Sequence, residues 1–453
     1  MRDVTQGSIG KHIKDMAIPT VGGGLAFALF NITDTYFVGK LGTESLAAMG
    51  FTFPVVMIAS SVASGISIGA SSVLSRLAGS KDKEGMRRTA TDGIFLAIIV
   101  VMLFSLIGLL TMDIIFPLLG ADETTLPLVK EYMTVWYLFV FVVLMPPVSD
   151  GAMRALGDTY RPFIVMLICA LLNIVLDPIF IFGWFGVPEM GIKGAAVATV
   201  IARFSGMTVS LGFLHFHYNL LNFKRPKLKA LFSSWREILK IGIPSVGVSI
   251  VPQLLRTLLT AMAAGIGGTV AVAAIAVGSR IEGFINIASY SVGGSIIPII
   301  GQNWGAENYE RVEDTRKLLN KIAVVVSTVL IVLMYIFVKP LANLFTDNID
   351  VLNMSAVYLR IVLIGAIGLN IYTWNGQILN AIGKSFQTLI INAGGTLLLM
   401  MPLVFIGAQF SFEWMLIGLA FAQIVVGMIS IRATIKYLDI PGHIKSRSAK
   451  QIS

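Results

Sequence analysis

Apolar runs of about 20 residues, the helix length that crosses a bilayer, recur along this chain from end to end with only short polar breaks between them. No break is long enough to hold a folded aqueous domain. Of the 453 residues 56% are hydrophobic and 13% charged, whereas soluble domains carry charge at roughly a quarter of their positions. The chain therefore reads as an all-α integral membrane protein. About twelve transmembrane helices are expected, beginning near Met16, Phe51, Asp92, Leu126, Pro162, Gly194, Ile238, Ile275, Leu319, Leu352, Phe386 and Phe412. Met1 to Asp15 is polar and charged, and the first apolar run passes through Asp34 without a small-residue cleavage site ahead of it, so a retained helix is expected rather than a signal peptide. The single Cys169 lies in an apolar run and reads as a small buried thiol, which excludes a disulfide scaffold.

The net charge of +9 is a signal of topology. Basic residues gather between alternate helices: Lys81, Lys83, Arg87 and Arg88; Lys224, Arg225, Lys227, Lys229 and Arg236; Arg311, Arg316 and Lys317; then Lys445, Arg447 and Lys450 in the tail. The other connections are poor in Lys and Arg and carry Asp122, Glu123, Asp347 and Asp350. By the positive-inside rule both termini are expected in the cytoplasm of a multi-pass plasma (inner) membrane protein. Nucleic acid is not an expected partner, because no aromatic residues are interleaved with the charges as stacking platforms require.

A weak internal repeat orders the chain. At an offset of about 225 residues, Ile18-Pro19 answers Ile243-Pro244, Leu41-Gly42 answers Ile266-Gly267, and Ala47-Ala48 answers Ala273-Ala274. Gly79 before a charged loop answers Gly305, and Ala155-Leu156-Gly157 answers Ala381-Ile382-Gly383. About six helices per half return the chain to its starting side, so the halves are expected as parallel six-helix lobes related by a pseudo-two-fold along the membrane normal. The reading divides the chain into an N-terminal lobe with the cation site (1–217), a basic linker (218–236), a C-terminal lobe (237–440) and a basic tail (441–453). Two like lobes around a central cavity are the plan of an alternating-access transporter.

Ionisable groups at membrane depth cost about 2.5 to 3.5 kcal/mol each on insertion scales, so the few present are candidates for function. Asp34 lies past the middle of the first span; Asn173 and Asp177, four apart on the fifth, share one face. Pro178 frees a carbonyl beside them. Thr199 is on the sixth span, Asp150 follows Pro146-Pro147 on the fourth, and Pro19 is a candidate bend in the first. Such a set offers the several oxygens a hard cation such as sodium takes. It can equally hold a proton, because two neighbouring carboxylates in a low-dielectric site do not both stay ionised easily.

The second half does not duplicate the acidic set: Arg256 falls near the mirror of Asn31 and Leu259 opposite Asp34. Arg256 and Glu282 are expected as a buried pair that leaves Arg280 facing the cavity. Asn375, Gln377 and Asn380 read as amides that hold helices together. Gly383-Lys384-Ser385 lacks the first glycine of a phosphate loop, which would fall on Ile378, so no nucleotide site is expected. His12, His215, His217 and His443 are scattered near helix ends, and no cofactor or structural metal is implied. An intramembrane aspartyl protease also needs two carboxylates. Here, however, Ala155-Leu156-Gly157-Asp158 has lost the first glycine of the Gly-x-Gly-Asp element and follows Arg154 at a helix end, so no enzyme is expected.

The residues resemble the multidrug and toxic compound extrusion (MATE) family, in its prokaryotic DinF-like branch, over nearly the whole chain. The elements that carry the resemblance are Asn31 to Val38, Glu44 to Gly50, Arg154 to Asp158, Leu172 to Phe180, and Gly194 to Thr199, in that order and spacing. The resemblance implies two lobes in a V and antiport of Na+ or H+ against organic, often cationic or amphipathic, compounds. It places the family's N-lobe cation site on Asp34, Asn173, Asp177 and Thr199. Asp150 stands where DinF-like members often carry Asn and adds a carboxylate near that site. Phe27, Asn31, Tyr36, Met166, Arg256, Arg280 and Glu282 are expected to line the substrate cavity, with Pro19 the point where helix packing changes. One chain carries both lobes and is expected to act as a monomer amid membrane lipids. The alternative is a lipid or lipid-linked saccharide flippase of related plan, in which Arg256 and Arg280 bind an anionic headgroup.

Overall fold

The computed structural model describes residues 2–222 and 228–438. The linker residues Lys224, Arg225 and Lys227 and the tail residues Lys445, Arg447 and Lys450 lie outside them. Fourteen α-helices and no strands occur among the described residues. The first seven are α1 (Ile9–Gly39), α2 (Thr43–Gly79), α3 (Lys83–Leu118), α4 (Thr125–Leu138), α5 (Val140–Ala155), α6 (Tyr160–Phe182) and α7 (Gly191–Gly212). The others are α8 (Leu228–Gly293), α9 (Ile296–Gly305), α10 (Tyr309–Asn343), α11 (Ile349–Ala381), α12 (Ser385–Gly394), α13 (Met401–Ala408) and α14 (Phe412–Leu438).

These make twelve crossings. Helices α4 and α5 meet at a 54° bend and form one span. A break at Gly267 and Gly268, where Gly268 takes a φ of 56°, turns α8 into two spans. A π-helical segment, Gly395–Met400, joins α12 to α13. Helices α1 to α7 form one lobe and α8 to α14 the other; one core, with Trp136 and Tyr137, is built on the first lobe and takes in Ile238 at the start of α8, and a second, with Tyr358 and Leu359, is built on the other lobe. A third core, containing Val4, Met16, Ile299, Ile300 and Trp374, draws on both lobes.

The repeat is visible in the backbone. Lys81 and Glu307 are both left-handed, at φ of 59° and 58°, and Gly157 and Gly383 take φ of 78° and 80° at the matching turn of each half. Asp82 caps α3 by accepting from the Gly85 N–H, and Asn308 caps α10 by accepting from the Arg311 N–H. All four turns lie on the face that carries the basic loops, called the basic face here. Here α2 crosses α9: a Cβ on Gly79 would lie 1.9 Å from the Gln302 carbonyl oxygen, and one on Gly305 1.9 Å from that of Arg76. The reciprocal contact is what a two-fold operator produces.

Asp158 pins the α5–α6 turn on this face. It accepts from the backbone N–H groups of Tyr160 (2.9 Å) and Arg161 (3.1 Å), from the Arg161 guanidinium and from the Tyr218 hydroxyl. Burial alone would raise its carboxyl, but these donors hold it below the ordinary carboxylate range. Its contribution is therefore present above the unfolded value near pH 4 and fades as pH falls through the lower folded value. Asp158→Asn should lower stability by about 1 kcal/mol, the usual worth of a cap, read as a drop in Tm at neutral pH.

Candidate functional site

Helices α1 and α6 of the first lobe bring Asp34 near Asn173 and Asp177, and Thr199 lies buried on the neighbouring α7. Helix α6 packs against both α1 and α7, and the one-turn spacing of Asn173 and Asp177 lets the Asn173 amide donate to the Asp177 Oδ1 at 2.8 Å. All four residues are buried. One oxygen of each has no hydrogen-bond partner: Asp34 Oδ1, Asn173 Oδ1, Asp177 Oδ2 and Thr199 Oγ1. Asp34 and Asp177 are near enough for their charges to act on one another, and both act on the buried Tyr132 hydroxyl of α4. Buried oxygens left unpaired are costly, and those of the two carboxylates and the Asn173 amide make an acceptor-rich centre suited to Na+ or a shared proton. Among the described residues no group of three His, Cys, Asp or Glu side chains gathers to hold a metal.

Asp150 has other charged neighbours. It is buried on α5 with Oδ1 unpaired, and the charges that act on it are those of Arg154, one turn along the same helix, and Arg203. Arg203 of α7 is a residue the sequence reading missed. It is buried, its guanidinium lies 4.7 Å from the centre of the Phe30 ring, and its Nη1 is 3.7 Å from the Met166 sulfur. Arg203 follows Thr199 by one helical turn, as Phe30 precedes Asp34 and Cys169 precedes Asn173. A cationic layer therefore sits one turn closer to the basic face than the four oxygens. The i, i+4 spacing from Thr199 was the available signal. Tyr132 was also missed, although the repeat pairs it with Tyr358.

The rest of the expected cavity set divides. Phe27, Tyr36, Asn31, Arg256 and Arg280 are exposed, with the Asn31 amide donating to the Phe27 carbonyl at 2.7 Å and Lys40 lying 4.6 Å from the centre of the Tyr36 ring. Met166 is half-buried and engaged by Arg203. The expected Arg256–Glu282 pair makes no direct ion-pair contact: Glu282 accepts a hydrogen bond from the Tyr358 hydroxyl at 3.0 Å, and the exposed Arg256 acts on it through its charge. Pro19 is half-buried within α1, which continues through it as one helix. The Asn375 amide donates to Asn320 at 2.9 Å and so ties α11 to α10.

Paired six-helix lobes with a polar centre buried at membrane depth define a two-lobed membrane transporter rather than an enzyme. The MatE family model matches residues 19–179 and again 244–406, and the chain belongs to this family of transporters. The two matches begin at Pro19 and Pro244, the prolines that the repeat pairs. Over 421 residues the chain is 31% identical to a FAD transporter of Shewanella oneidensis, covering 93% of each chain. It is 27% identical over 433 residues to the probable multidrug resistance protein NorM of Thermotoga maritima, covering 95% of this chain and 92% of that one. The crystal structure of the Vibrio cholerae MATE transporter VcmN in the bent form superposes with a TM-score of 0.90 at 29% identity, covering 96% of this chain and 98% of that one.

Proposed function

We propose that this transporter is a secondary exporter that exchanges external Na+ or H+ for small organic compounds, with Asp34, Asn173, Asp177 and Thr199 as the coupling site. The observation that carries this reading is the set of four unpaired, buried oxygens held by three helices of one lobe. The basic loops put the basic face, and with it both termini, in the cytoplasm of the plasma membrane. Asp34 and Asp177 take the ion from outside, its charge changes the packing of α1 around Pro19, and the compound is released. Asp150, balanced by Arg154 and Arg203, serves as a charge partner behind the site. The chain acts as a monomer.

The substrate side has two readings. A multidrug resistance protein among the relatives supports cationic or amphipathic compounds, for which Phe27 and Tyr36 give an apolar surface. The exposed Arg256 and Arg280 of the second lobe, with a FAD transporter as a relative, support an anionic substrate, whether a dinucleotide or the headgroup of a flipped lipid. Export from proteoliposomes, with a sodium or a pH gradient imposed alone, tests both readings against a fluorescent cationic dye and FAD. Export of either compound that follows one gradient supports ion coupling and names the ion. Failure of both compounds under both gradients by folded protein would contradict the proposal, and strong binding of a pyrophosphate lipid, lost in Arg256→Ala, would replace it with the flippase.

A further inference from the structure

Ahead of α1, Arg2, Val4 and Gln6 are bonded to the body of the protein. The Arg2 N–H donates to the Leu156 carbonyl at 3.0 Å, and the Arg2 guanidinium pairs with Asp15 at 2.5 Å; both partners belong to the first lobe. Two residues on, Val4 is fully buried and both of its backbone groups are taken by the second lobe. Its N–H donates to Gln302 Oε1 at 3.3 Å, and its carbonyl accepts from Asn303 Nδ2 at 3.2 Å and Arg311 Nη2 at 3.3 Å. Arg311 also donates to the Gln6 carbonyl at 3.1 Å. The Val4 side chain joins the core shared by α1, α9, α10 and α11. Beside it the Gln302 amide donates back to the Ala155 carbonyl at 2.9 Å, and the Ser72 hydroxyl of α2 donates to the Asn380 carbonyl of α11 at 2.6 Å.

We propose that residues 2–6 are a strap that fastens the two lobes together at the basic face, with Val4 as its peg, and must release whenever the cavity opens there. Alternating access requires the lobes to part on each side in turn. A segment bonded to both lobes favours the state in which they are joined. Burial of a valine side chain biases that equilibrium by about tenfold or more. The inference rests on the two-lobed fold and not on the identity of the ion or the substrate.

The test needs no substrate. Cys169 is the sole cysteine and is buried inside the first lobe, so Cys169→Ala leaves Ser72→Cys as a single reporter of the seam between the lobes. Reaction with a membrane-permeant maleimide in vesicles should be slow in this parent, about tenfold or more faster when Val4→Asp is added, moderately faster with Arg311→Ala, and unchanged with Val4→Ile. In a second preparation that keeps the native Cys169 as the only thiol, Val4→Asp should leave labelling slow. An unchanged rate at the Ser72 position would overturn the strap. Equal acceleration at both positions would also overturn it, since residues 2–6 would then support the whole fold rather than the closed seam.

Discussion

Asp34→Asn should abolish gradient-driven export, by at least about tenfold on the scale of ordinary site-to-site coupling, while leaving Tm unchanged or slightly raised. The two effects separate because of how Asp34 is held. Its Oδ1 has no partner in the fold, so no protein hydrogen bond is lost there, and Asn keeps the volume while removing a charge that is costly at membrane depth. The neutral amide can neither carry a proton nor attract a cation, and Asp177 is left with a single carboxylate's field. A carboxylate kept for structure would behave oppositely, lowering Tm when it is neutralised and leaving the export rate per folded molecule intact. The measurement is paired: thermal unfolding by intrinsic fluorescence, and initial export rates at matched protein content.

Gly79→Val should be equally damaging for a different reason. At the α2–α9 crossing a Cβ would lie 1.9 Å from a backbone carbonyl oxygen, which no rotamer change can relieve. The helices must separate, at a cost of about 3 kcal/mol or more by the usual scale of overpacking, so the basic face can no longer close. We expect a large fall in Tm and no export. Gly50→Ala is the control, because nothing lies within 4 Å of its added methyl. The same exchange in a helix should be neutral or stabilising by up to about 1 kcal/mol. Reciprocal damage by Gly305→Val follows from the pseudo-two-fold.

The twelve spans and the duplication were legible because both rest on features a bilayer imposes one residue at a time: long apolar runs, and turns with special backbone. Ala155-Leu156-Gly157 and Ala381-Ile382-Gly383 could be paired by eye because the third residue of each is left-handed in the fold. Of the polar centre, the spacing of Asn173 and Asp177 was readable, since one turn of helix fixes it. What sequence does not encode locally is which side chain reaches a partner on another helix. Glu282 was assigned to Arg256 on charge, and Arg256 does act on it, but the group in direct contact is the Tyr358 hydroxyl. Asp150 was grouped with Asp34 on chemistry, and the charge of Arg203, which acts on it beside that of Arg154, could not be read from the spacing. Arg203 escaped because its partners, an aromatic face and a thioether, leave no charge pattern in the sequence. The 54° bend between α4 and α5 falls at Phe139, where no proline or glycine stands to announce it.

Coupling is reciprocal, so it can be tested without imposing any ion gradient. Proteoliposomes would be loaded with the compound that passes the export test, with Na+ and pH equal on both sides, and ion movement followed by labelled sodium and a pH-sensitive dye. The account predicts that outward flow of the compound draws Na+ or H+ inward with parent protein and that this ion flux vanishes with Asp34→Asn. Movement of the compound at the parental rate with no counterflow of either ion would contradict it.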